Sequence, residues 1–159
     1  MVRMSKLTDY GIVVMTHLAK TPLAQHSAGD VASQIPVALP TVSKVLKTLT
    51  REGLLVSSRG ARGGYGLARP PEQISLAEII RALEGPIGLT ECSDEPGKCV
   101  QEAMCNVRHH WVVISQAIQQ TLEGISLSDM LQPLSEPPGS RPRSQAVPFR
   151  PSFRSNLSA

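Results

Sequence analysis

Aromatic residues are scarce in this chain of 159 residues, with one Trp, two Tyr and two Phe, or 3%. A core must therefore rest on Val, Ile, Leu, Met and Ala, which a hydrophobic content of 41% permits. No apolar run nears the ~18 residues of a membrane-spanning helix. The opening Met-Val-Arg-Met-Ser-Lys lacks the apolar stretch of a secretory signal, which points to the reducing interior of a cell, the cytoplasm. Three cysteines, an odd number, argue against a disulfide framework. The length suits one domain, or one small domain with an appendage, and leaves no room for a large two-domain enzyme.

What the chain does have is charge set apart by sign. The formal net charge is +3. Residues 1–71 hold nine Lys/Arg against Asp9, Asp30 and Glu52, whereas residues 72–132 hold Arg81, Lys98 and Arg108 against nine acids. A polyanion is drawn to the first part and repelled by the second. Residues 133–159 carry six prolines, four arginines, one acid and no apolar periodicity, and are expected to be disordered. The expected organisation is thus a basic part at 1–71, an acidic part at 72–132 and a Pro/Arg-rich tail at 133–159.

The first 55 residues read as three helices. Tyr10, Val13, Val14, His17 and Leu18 recur at helical spacing over 9–20, and Thr21-Pro22 breaks the pattern. A short helix is expected over 28–34, stopping ahead of Pro36. Over 40–52, Val42, Val45, Leu46 and Leu49 form one apolar stripe behind Pro40, which suits a first helical turn. Lys44, Lys47 and Arg51 project from the opposite side.

After Gly53 the period changes. Residues 54–59 and 65–69 flank Gly60-Ala61-Arg62-Gly63-Gly64 and read as a hairpin with a glycine-rich tip. Ser75 and Glu78 open a capping box, with Leu76, Ile79, Ile80 and Leu83 on one helical face up to Glu84. An aperiodic stretch from Gly85 to Cys105 holds all three cysteines, and a helix returns over 107–123. This helix of roughly 26 Å carries a seam of Trp111, Ile114, Ile118, Leu122 and Ile125 that could pack on its own domain or on a twin, and a second copy is the expected partner.

Two helices joined by a turn, the second basic outside, are the arrangement that places a reading helix in the major groove. A glycine-tipped hairpin bearing Arg59 and Arg62 reaches phosphate or minor groove, since glycine permits close approach and arginine brings a planar donor fork. The expected fold is mainly α with a small β-hairpin: a winged helix-turn-helix followed by a long C-terminal dimerisation helix. The expected partner is double-stranded promoter DNA. The expected contacts are Pro40, Thr41, Ser43, Lys44, Lys47, Arg51, Arg59, Arg62, Gly63, Gly64 and Tyr65.

Cys92, Cys99 and Cys105 follow the spacing C-x6-C-x5-C. Thiolates are soft ligands that select zinc, copper(I) or iron–sulfur clusters. Structural zinc sites favour C-x2-C knuckles, absent here, so the wide spacing suits a larger cofactor. A zinc-stabilised module and a thiol–disulfide switch remain open at this point. The fourth ligand is open too, with His109, His110 and the distant Asp9 as candidates. Cys105 and His109 lie one helical turn apart, but no phosphate loop, paired carboxylates or orienting third residue accompanies them, so no enzyme is expected.

Four segments together resemble a known family: Ser-Lys-Leu-Thr-Asp-Tyr-Gly at 5–11, Arg-Gly-Ala-Arg-Gly-Gly-Tyr at 59–65, Ile-Ser-Leu-Ala-Glu-Ile-Ile-Arg-Ala-Leu-Glu-Gly at 74–85, and the cysteine loop ending in Trp111. They are similar to the iron–sulfur winged-helix transcription regulators of the IscR and NsrR type, and most to the subgroup that controls SUF cluster assembly. The resemblance implies a homodimer crossed through the long helix and a cluster, [2Fe–2S] rather than [4Fe–4S], on the three cysteines. It further implies promoter occupancy governed by cluster state, with nitric-oxide sensing on the same fold as the alternative. Members with a histidine ligand carry it where this chain has Arg108, while others use an aspartate in the opening Thr-Asp, here Asp9, from the other protomer. The resemblance therefore favours Asp9. The first gap between cysteines is one residue longer than the common five.

Overall fold

The computed structural model describes residues 4–60, 63–90, 93, 97, 99–100 and 104–132; the expectations for Arg62, Cys92 and the tail lie outside the described residues. The elements are α1 (Lys6–Ala19), α2 (Ala28–Gln34), α3 (Leu39–Arg51), β1 (Leu55–Ser58), β2 (Gly64–Leu67), α4 (Leu76–Glu84) and α5 (Arg108–Glu123). Short 3-10 turns occupy Pro71–Gln73 and Asp129–Leu131. Among the described residues, no helix is long and apolar enough to cross a membrane.

Serines start three of the helices. The Ser5 hydroxyl accepts from the Thr8 N–H, so α1 begins three residues before the expected Asp9. Ser27 with Asp30, and Ser75 with Glu78, form reciprocal capping boxes at α2 and α4. The N-cap of α3 is Ala38, which makes no side-chain hydrogen bond; Pro40 sits in its first turn as expected.

The stripe Val42, Val45, Leu46 and Leu49 is fully buried and meets Val14, Met15 and Leu18 of α1, Val31 of α2, and Leu54 and Leu55 at the base of the wing in one core. Each such side chain stabilises the fold by roughly 1.5–3 kcal/mol. Ile74, Ile79 of α4 and Leu127 belong to that same core. At the crossing of α1 and α4, a Cβ on Gly11 would meet Leu83 Cδ1 and push that terminal methyl aside.

The wing is an antiparallel pair with Leu55 opposite Leu67 and Ser58 opposite Gly64. The other edge of β2 is covered by the α1–α2 connection: His26 and Tyr65 exchange backbone hydrogen bonds of 3.0 and 2.9 Å. A Cβ on Gly64 would stand 2.7 Å from the His26 carbonyl oxygen, which explains the glycine there without reference to DNA.

After α5 the chain turns back. Leu76 N–H donates to Ile125 O at 2.8 Å and Leu127 N–H to Ile74 O at 2.7 Å, forming a bridge between Ser75 and Ser126. The long helix is thereby tied to the winged unit at its C-terminal end.

Candidate DNA-reading face and cysteine loop

With its apolar stripe turned inward, α3 presents Pro40, Ser43, Lys44, Lys47, Thr48 and Arg51 along one open groove. Five of these were expected from sequence, and the structure brings them together. Thr48 was missed, although it lies one turn after Lys44 and helical projection finds it. Thr41 is half-buried and does not line the groove. The Arg51 guanidinium pairs with Glu52 at 3.0 Å, whereas Lys44 and Lys47 are exposed and have no ion pair among the described residues. The groove therefore carries two uncompensated ammonium groups, and its sign suits a polyanion.

On the wing, Arg59 is exposed just ahead of the tip. Gly63 N–H donates to Gly60 O at 2.9 Å and closes the turn. The Tyr65 side chain is half-buried and packs against the core, so much of its ring serves the wing's attachment. His17, on α1, is buried beneath this region, with its ring centroid 5.8 Å from that of His26. Burial, and then the neighbouring His26 and Lys20, lower the His17 pKa.

In the segment that leads into α5, Cys99 and Cys105 are half-buried free thiols. Cys105 shares a small cleft with Asn106, Arg108, His109 and Val112 at the start of α5. His109 and His110 are exposed there. Asp9 is exposed in the first turn of α1, and no hydrogen bond or ion pair of its carboxylate is found among the described residues. Its turn is fixed from behind: Ser5 N–H donates to Glu84 Oε1 at 2.7 Å, and bonds from the Thr8 hydroxyl and this N–H lower the Glu84 pKa. Two of the segments that carry the resemblance, 5–11 and 74–85, thus dock on each other. Among the described residues, no three His, Cys, Asp or Glu side chains converge, so Asp9, Cys99 and Cys105 do not form a ligand set within one chain.

The face of α5 is largely uncovered. Ser115 is its one buried side chain among the described residues, receiving the Leu89 N–H at 3.2 Å. Val107, Trp111, Val113 and Ile114 are 38–53% exposed. Val113, Ile114, Ala117, Ile118, Thr121 and Leu122 line an almost wholly apolar groove.

A helix-turn-helix with a basic reading helix and a hairpin wing defines this chain as a DNA-binding transcriptional regulator. It belongs to the Rrf2 family, whose model, described as an iron-dependent transcriptional regulator, matches residues 4–133. The HTH-type transcriptional regulator CymR of Bacillus subtilis is 32% identical over 128 residues, which cover 76% of this chain and 83% of the relative. The solved structure of CymR, the global cysteine regulator of B. subtilis, is similar at TM-score 0.66 and 30% identity, covering 82% of this chain and 97% of that one. That of T. potens IscR is similar at TM-score 0.61 and 30% identity, covering 82% and 86%. These relatives are regulators, and this chain is one and not an enzyme.

Proposed function

We propose that the chain works as a cytoplasmic homodimer on promoter DNA and that an iron–sulfur cluster sets its occupancy there, with cluster-assembly (SUF) genes as targets. The observation that carries this reading is the position of Cys105, a free thiol in the cleft where α5 begins, on a helix whose far end is tied to the reading head. The donor set fits. Cys99 and Cys105 are unpaired soft donors, Cys92 lies in the same loop, and the Asp9 carboxylate is exposed. Cys92, Cys99 and Cys105 would hold a [2Fe–2S] cluster, with Asp9 of the partner subunit as fourth ligand, as the family resemblance implies. When bound, the cluster supplies a redox-sensitive cross-link among these side chains.

What the chain's own residues do follows from their attachment. The exposed Trp111, Val113 and Ile114 bury themselves against a second copy, which positions two reading heads for two half-sites. The Ser75–Ser126 bridge and the Arg81–Glu123 pair transmit the tilt of α5 to α4, and α4 shares its core with α3. Ligation through Cys99 and Cys105, just ahead of α5, would shift the population toward one spacing of the reading helices.

A second reading is favoured by the likeness to CymR, named a global cysteine regulator, and by the CymR structure from Staphylococcus aureus described as an oxidized form. There the free Cys99 and Cys105 act as a thiol switch without a metal. Anaerobic purification of the full chain, with iron and acid-labile sulfide analysis and a visible spectrum, separates the two. Charge-transfer bands with iron and sulfide in equal amounts support the cluster. Their absence after reconstitution overturns it, and thiol titration against DNA binding then tests the switch.

A further inference from the structure

The reading helix carries an apolar residue that the fold does not account for. Leu39, the first residue of α3, is 48% exposed, although the same helix buries Val42, Val45, Leu46 and Leu49 completely. Its neighbours Ala38 and Pro40 are exposed as well, so an apolar tip stands where a capping Ser, Thr, Asp or Asn would satisfy the helix end. This tip is continuous with the groove of Pro40, Ser43, Lys44, Lys47, Thr48 and Arg51. It lies on α3, not on the apolar face of α5 that awaits a second copy.

We propose that Leu39 reads a thymine methyl group in the major groove, and so fixes one thymine in each half-site. The occupant of the tip must be anionic, to meet the free Lys44 and Lys47, and must also present an apolar group beside that charge. Major-groove DNA offers both, because the thymine C5-methyl is the apolar group on its base-pair edges. The N-terminal residues of a reading helix are those that reach the base edges. The phosphates face Lys44 and Lys47, which hold the helix in register without reading sequence. An RNA duplex fails on both counts, since its deep groove excludes a helix and uracil lacks the methyl. The proposal rests on α3 being the DNA-reading helix and is independent of any cluster.

The experiment begins with a duplex selected from random sequence by the full-length chain. Each thymine is then replaced singly by uracil, which removes the methyl and nothing else. Affinity is expected to fall about fourfold at one thymine per half-site, the worth of one buried methyl, and to stay unchanged elsewhere. Leu39→Ala, checked for an unchanged melting profile, is expected to bind the thymine and uracil duplexes equally. Lys44→Ala with Lys47→Ala is expected to weaken binding to every duplex while keeping the uracil effect. Wild-type indifference to uracil at every position overturns the proposal without recourse to any variant, as does a uracil effect that survives in Leu39→Ala. Unchanged binding by the double lysine variant removes α3 from the DNA, and the proposal with it.

Discussion

Arg81 Nη2 lies 2.8 Å from Glu123 Oε1, joining the middle of α4 to the last turn of α5. Both side chains are more than two-fifths exposed, so the pair contributes at most about 1 kcal/mol to stability. Its importance is positional. The same Glu123 oxygen accepts from Gln119 Nε2 at 2.8 Å, which keeps the carboxylate aimed at α4. Glu123→Ala is expected to shift the urea unfolding free energy by less than about 1 kcal/mol. If a cluster binds as proposed, the same change should also narrow the difference in DNA affinity between loaded and cofactor-free protein. Equilibrium unfolding and fluorescence anisotropy on the two states measure the two quantities.

Leu127 has a different kind of importance. It is fully buried in the core shared by α1, α3 and α4, although it follows α5 in the chain. Leu127→Ala leaves a cavity at the point where the long helix is tied down, and is expected to cost about 2–5 kcal/mol in equilibrium unfolding. The exposed Leu131, 37% accessible, offers a control on the same short segment. Its replacement by alanine is expected to cost less than about 0.5 kcal/mol.

His17 makes stability depend on pH. Its ring is buried, and no hydrogen-bond partner for Nε2 is found among the described residues. Burial, then the nearby His26 and Lys20, lower its pKa from 6.5, so the folded state prefers the neutral ring. The unfolded chain binds a proton around 6.5 that the folded chain resists. Stability is therefore full above that pH and declines as pH falls below it toward the lower folded value. Urea midpoints taken from pH 7.5 down to 5.5 are expected to decrease, and His17→Gln is expected to flatten that dependence.

How far the sequence revealed this architecture varies with the range of the interactions. The stripe of Val42, Val45, Leu46 and Leu49 and the cations opposite it are local, set by the 3.6-residue period, and α3 departs from its expected span by one residue at each end. The capping box at Ser75 is equally local. The start of α1 at Lys6 escaped periodicity because a serine hydroxyl sets it, not an apolar face. Long-range pairings were not legible: the His26–Tyr65 bridge, the Ser75–Ser126 bridge and the Ser5–Glu84 bond each join residues far apart in the chain. For the same reason Ile125 reads as the end of an apolar seam, while its carbonyl in fact receives Leu76 N–H and marks where the chain leaves α5. Leu39 passed unnoticed because the expected helix began one residue after it, at Pro40, and its exposure is not legible in the sequence.

The wing depends on a close approach of backbones at Gly64. A Cβ there would lie 2.7 Å from His26 O, 2.8 Å from His26 C and 3.0 Å from His26 N. The obstructing atoms are all main chain, so no rotamer change relieves the clash, and the α1–α2 connection must separate from β2. That separation breaks the two hydrogen bonds between His26 and Tyr65 and withdraws support from the Tyr65 ring. Gly64→Ala is thus expected to destabilise the fold by about 1–3 kcal/mol, in the range of overpacked sites. Hydrogen exchange should quicken at Tyr65 and His26 first, with the amides of Val45 and Leu49 in α3 retaining their protection. Affinity for the selected duplex should fall too, because Arg59 rides on the same hairpin. Protection at Tyr65 equal to that of the parent protein would mean that the connection and the wing separate without cost, and that the glycine is needed for something other than this contact.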